Sequence, residues 1–193
     1  MAAPSTTAMK NMSGRWVVDK GLSDDWDALL ALQGIPWWKR QAAGLITVTE
    51  HITHTISPSD DVHKILIEQR MTGGFKGGED EIFIDGLERA SVHSISGAIT
   101  SRASWTDPSD LDDEWLIEGW CGGEEEKGGP NGEKHMKTVV KSEIVGWEMD
   151  IVWGFVMLGG ERYHSRRMVC RRKGVVERAR IIYGWLGPKL NDT

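Results

Sequence analysis

The sequence predicts an all-β protein: a ten-stranded antiparallel up-and-down β-barrel with a helix-turn-helix lid between strands 1 and 2. Three observations lead there. Ten segments carry the period-two alternation or the apolar content of strands. Short turns rich in Gly, Pro, Ser and Asp join them, which makes neighbours antiparallel, and no crossover helices separate them. The one convincing helical stretch, residues 22–44, falls between the first two strands. Closing the sheet removes the edges that a flat meander would expose, and a barrel of this size can enclose a ligand cavity.

With 193 residues the chain is long enough to bury a core as one domain. That domain is expected over residues 13–187, after a flexible start at 1–12. Ten Trp against three Phe and two Tyr is a surplus; it either lines a surface that a ligand meets or fills the barrel. Cys121 and Cys170 make neither a disulfide framework nor a metal set. The start lacks an apolar run and no segment reaches membrane-spanning length, so a cytoplasmic location without membrane insertion is expected. A net charge of −6 disfavours nucleic acid. Residues 162–180 nevertheless hold seven Arg and one Lys against one Glu, and this stripe is expected to pair with acidic loops elsewhere.

Taken in order, 14–18 (GRWVV) is the first strand. In the lid, Ser23 is placed to cap a first helix, and Asp24, Asp25 and Asp27 oppose its dipole. Trp26, Leu29 and Leu30 give it an apolar face; Gly34 suits a left-handed end and Pro36 the first turn of a second helix over 37–43, closed by Gly44. That second helix is dominated by Trp rather than by basic residues, so it is no DNA-recognition helix. Strand 45–56 alternates cleanly: Ile46, Val48, Ile52 and Ile56 share a face with Glu50 and His54, and Thr and His51 take the other. Strands follow at 63–71, 79–85, 90–105 (with His93, Ile95 and Ile99 on one face), 114–121, 135–142, 147–157, 161–173 and 176–185. The loop 73–78 has glycines without phosphate-loop spacing, and no nucleophile elbow or metal-binding motif is present.

Residues 14–16 (Gly-x-Trp), then 23–36 (SDDWDALLALQGIP) and 39–44 (KRQAAG), resemble the first strand and lid of the intracellular fatty-acid-binding proteins, which belong with the lipocalins to the calycin superfamily. The match covers about thirty residues; beyond them the likeness is one of element order. The resemblance implies a calycin β-barrel around a lipophilic ligand. The chain is also similar, in size and lid, to calycin-like proteins of fungal secondary metabolism, some of which are cofactor-free cyclases or isomerases. One departure stands out. Fatty-acid binders hold the ligand carboxylate with an Arg-x-Tyr pair on the last strand. Here Tyr183 is present, but Ile181 stands two residues before it and Arg180 lies on the opposite face.

Chemistry is expected from polar residues on inward, otherwise apolar faces: Glu50, His54, Gln69, His93, His164, Arg166 and Tyr183. Burial raises a carboxylate's pKa toward proton-transfer values unless a cation offsets it. Glu50 and His54 on one face can form an acid–base pair, and Arg166 can hold an enolate or phenolate oxygen. Alternatively these groups satisfy one another. Trp37 and Trp38 on the lid, with Trp120, Trp147 and Trp153 on strands, can stack on a flat apolar ligand or pack the core. Two functions follow: a cofactor- and metal-independent enzyme that folds and protonates an aromatic or polycyclic substrate to cyclise or isomerise it, or a non-catalytic carrier of a lipophile. An interaction protein using the Arg-rich strands is a third.

Overall fold

The computed structural model describes residues 1–73, 75–93 and 96–189. Its strands are β1 (Gly14–Val18), β2 (Val48–Ile56), β3 (His63–Met71), β4 (Phe75–Ile84), β5 (Arg89–His93), β6 (Gly97–Thr106), β7 (His135–Ser142), β8 (Trp147–Leu158), β9 (Glu161–Arg172) and β10 (Val175–Gly187). They form one sheet in the order β4-β3-β2-β1-β10-β9-β8-β7-β6-β5. Every adjacent pair in that order is antiparallel, as the short turns require. Closure is made by a parallel bridge from Ile84 of β4 to Ala103 of β6, so the closed ring has nine strands and β5 lies outside it as the arm of a hairpin.

Among the described residues there are ten strands, as expected, but nine of them close the ring and the membership differs. The single strand expected at 90–105 is two, β5 and β6; Ile95 and Gly74 lie outside the described residues. The strand expected at 114–121 does not form. Those residues instead make one helical turn, α3 (Glu114–Ile117), which begins where the Asp113 carboxylate accepts a hydrogen bond from the Trp115 N–H at 3.1 Å. The reason lies in β8 and β9, which carry apolar residues on both faces. Val152 and Val169 point out of the barrel, and Leu111 and Leu116 cover them. The segment between β6 and β7 is thus an outer coat over the barrel wall, a job that alternation does not announce.

The lid comprises α1 (Asp27–Leu32) and α2 (Trp37–Leu45). Ser23 does not cap α1. Its hydroxyl accepts the Ile182 N–H at 2.9 Å and donates to the Asp19 carbonyl at 2.6 Å, which ties the lid's approach to β10. Pro36 sits just before α2 rather than inside it, and Gly44 lies within α2. Leu29 is buried against Val140, Trp147, Met149 and Ala179 at one end of the barrel, whereas α2 buries none of its residues. Gly34 ends α1 at φ +81°, a conformation that opposes a Cβ, and one added there would meet Val145 at 3.1 Å. Gly34→Ala is therefore expected to lose about 1–2 kcal/mol and a few degrees of thermal midpoint, measured by circular dichroism melting.

The start of the chain, expected to be loose, is packed. Met9 and Met12 are fully buried among Trp16, Ile52, Ile65 and Met136, at the end of the barrel away from the lid. The Met12 N–H donates to His54 Nδ1 at 3.1 Å, and the Trp16 indole donates back to the Met12 carbonyl at 3.0 Å. Two isolated methionines without periodicity give no sequence signal for such a plug.

Candidate functional site

Register decides which side chains meet inside the barrel. Trp16 on β1 stands beside Glu50 on β2, which stands beside Gln69 on β3. Round the wall, Tyr183 on β10 faces His164 on β9, and one step along Ile181, Arg166 and Trp153 form the next row. Arg166 crosses toward β2. Its guanidinium lies 3.5 Å over the Trp153 ring and 4.3 Å from the Tyr183 ring centre, and it binds the Glu50 carboxylate with both Nη atoms. The Nη1–Oε1 distance is 3.0 Å. Both residues are buried, with Glu50 at 4% and Arg166 at 9% exposure. Arg166 Nε also donates to His164 Nε2 at 3.3 Å.

Because Arg166 can only donate, His164 Nε2 is an acceptor; Nδ1 carries the proton and donates to the Gly154 carbonyl at 3.0 Å. Full burial, followed by the Arg166 charge, holds the His164 pKa well below its ordinary value. Burial opposes the charge of Arg166, but Glu50, with Tyr183 and Asp80 adding to it, leaves the guanidinium pKa raised. Burial also raises Tyr183, and a hydrogen bond to Glu50 adds to that. The cluster is thus an ion pair flanked by a neutral imidazole and a neutral phenol, in an aromatic cage of Trp16, Trp153, Phe155 and Tyr183 around His164. Arg166 is the counter-charge to buried Glu50.

The other residues singled out in the sequence fall elsewhere. His54 is inward but faces the plug, and both ring nitrogens are engaged: Nδ1 by the Met12 N–H, Nε2 by His63 Nδ1 at 2.9 Å. With both nitrogens taken it does not pair with Glu50, whose carboxylate is held by Arg166, and burial lowers its pKa to about 4. Gln69 is half-buried next to Glu50. His93 lies near the Asp80 carboxylate, 3.9 Å away. Trp147 packs under the lid. Trp120 is outside the barrel, its indole bonded to the Leu116 carbonyl and its ring near His135. Trp37 and Trp38 are 67% and 64% exposed, on the outer side of α2, so they do not line the interior. Asp80 is an inward charged residue that sequence reasoning missed. It shares the even-numbered face of its strand with Ile82 and Ile84 and pairs across to Ile67, so the signal was present.

Inward residues near the plug, such as Trp16, Ile52, Ile65 and Met136, have no exposure, whereas Val48, Gln69, Asp80, Ile99, Ile151 and Met168 on the lid side keep some. Other inward residues at the lid end are covered, Cys170 and Ala179 fully and Trp147 to 3% exposure, so that end is partly open and the plug end closed. A cleft of about 730 Å³ lies within the lid itself, between its two helices and the segment leading into them, lined by Lys20, Asp24, Trp26, Leu30, Arg40 and Leu45 among others and by none of the Arg166 cluster. The basic stripe is engaged as expected, with Arg162 bidentate to Glu126 at 2.7 and 2.6 Å, Arg171 and Arg178 on Asp113, and Arg180 near Asp24. Among the described residues no group of three or more His, Cys, Asp or Glu is arranged to hold a metal, and no helix is long and apolar enough to cross a membrane.

No family model matches the chain. Two curated proteins match over nearly the whole length. Pericyclase pydY of Acremonium sp. is 30% identical over 197 residues, covering 98% of this chain and 99% of that protein. A probable pericyclase, scpY, of Mollisia scopiformis is 27% identical over 194 residues, with 97% and 96% covered. Among solved structures, the Schistosoma mansoni fatty acid binding protein in complex with arachidonic acid superposes with a TM-score of 0.53 at 16% identity, covering 94% of this chain and all of that one. Apo lipid binding protein 8 of Caenorhabditis elegans gives 0.54 at 13% identity, covering 93% and 99%. The fold is the fatty-acid-binding-protein-like calycin barrel.

Proposed function

Because the chain belongs to the family of the fungal pericyclases, we propose that it catalyses a cofactor-independent pericyclic ring closure on a lipophilic small molecule of secondary metabolism, held in the lid side of the barrel. In such a closure σ bonds form at the expense of π bonds and no atom is gained or lost. The protein then has two tasks. One is to hold a flexible chain in its reactive shape, which removes entropy from the barrier. The other is to stabilise charge that builds on a conjugated carbonyl as the bonds form.

The observation that carries this is the Arg166–Glu50 pair, buried in an aromatic wall. Arg166 has five N–H hydrogens. Two go to Glu50 and one to His164, which leaves two on the Nη atoms as donors toward a substrate carbonyl. Glu50, Trp153, Tyr183 and His164 hold that guanidinium still, so the donors are in place before the substrate arrives. Glu50 is accordingly a positioning residue for Arg166 and not a proton shuttle. His54 belongs to the plug.

The test uses the compound that accumulates when the gene is deleted in its host. Incubated with purified protein that has been dialysed against chelator, this compound is expected to convert to a cyclised isomer of unchanged mass, with no cofactor added. Tight binding without conversion would favour the carrier. Accumulation of nothing in the deletion strain would sink both.

A further inference from the structure

The Arg166 guanidinium has a chemical consequence for what the barrel admits. A buried arginine is the side chain best suited to a carboxylate, since its two Nη atoms match the two oxygens. Here that edge is already occupied, from within the chain, by Glu50. The Trp153 and Tyr183 rings pack against the guanidinium, with centres 3.5 and 4.3 Å from its carbon. Asp80, from β4, adds a second negative charge toward Arg166. Arg162, on the same inward face of β9, is closed in the same way by Glu126, itself 2% exposed. An ionised acid entering the barrel would therefore have to displace Glu50, leaving that carboxylate buried without its partner, or lie unpaired beside it.

We propose that Glu50 is a specificity residue, a counter-charge built into the wall that closes Arg166 to carboxylates and restricts the barrel to uncharged, carbonyl-bearing lipophiles. This rests on the barrel being the small-molecule site and deepens that assignment by naming the class of ligand. It also says that the preference is held by one carboxylate. With its charge removed, Arg166 becomes a receptor for an anionic lipid head, and the same barrel takes a fatty acid.

A conjugated fatty acid that fluoresces on binding, cis-parinaric acid, and its methyl ester provide matched probes, titrated at a pH where the acid is ionised. The wild-type protein is expected to bind the ester more tightly than the acid by at least about tenfold. Glu50→Gln is expected to gain at least about tenfold for the acid and to change the ester by less than about threefold. Glu50→Gln/Arg166→Met should lose the gain. The wild-type preference is a test on its own, should a variant fail to fold. Equal wild-type affinities for acid and ester overturn the proposal, as does an acid-to-ester ratio that Glu50→Gln leaves unmoved, including the case in which neither probe binds either protein. Ring closure is not measured, so a failed preference and a failed catalytic assignment are distinguishable.

Discussion

Arg166→Met is expected to destabilise the protein by about 3–5 kcal/mol, since it leaves Glu50 buried with its charge unpaired. It is also expected to slow ring closure by about a hundredfold or more, the usual effect of removing a preorganised donor from a transition state. The two effects separate in a second variant. In Glu50→Met/Arg166→Met no charge is stranded, and apolar side chains of similar length fill the space, so most of the stability should return. The rate should not. Urea midpoints and single-turnover rates on the three proteins measure both. A fully active Arg166→Met would remove Arg166 from the mechanism, and a double variant as unstable as the single one would mean that the pair matters for packing rather than for charge.

Acid is expected to unfold the protein early. Burial holds both His54 and His135 at about 4, from an ordinary 6.5. A histidine whose folded pKa is depressed binds fewer protons folded than unfolded, so stability falls as pH drops below about 6.5 and the loss is complete below the folded pKa. By that relation each imidazole removes about 2 kcal/mol on going from about pH 7 to pH 5, some 4 kcal/mol together. His164 and His63 shift in the same direction. Urea unfolding at the two pH values measures the difference, and a flat profile would contradict the burial of these rings. The hydrogen bond from the Met12 N–H to His54 needs an unprotonated Nδ1, so the plug should loosen first, seen as early exchange of the Met12 amide.

Much of the barrel was legible in the sequence because a strand with one face inward must alternate, and 45–56 and 63–71 do. The helical pair was legible from Gly34, Pro36 and the spacing of Trp26, Leu29 and Leu30. Residues 114–121 have the apolar content of a strand, but their role is to cover Val152 and Val169 on the outside of the wall, and a short turn of helix does that as well as a strand. Of the candidate site, the inward direction of Glu50, His164, Arg166 and Tyr183 followed from parity. That Arg166 would reach Glu50 did not, since β9 and β2 become near neighbours only when β10 and β1 lie between them in a closed ring. Trp37 and Trp38 show the converse limit: on a helix that buries nothing, aromatic content says little about direction.

The first strand is hydrogen-bonded on one side to β2 and on the other to β10, the last. During synthesis it can find only the first of these partners until the final strand has left the ribosome. Ring closure of the sheet is thus a late, long-range event in folding, slow by its topology, and until it happens the half-formed cylinder presents unpaired edges to other nascent chains.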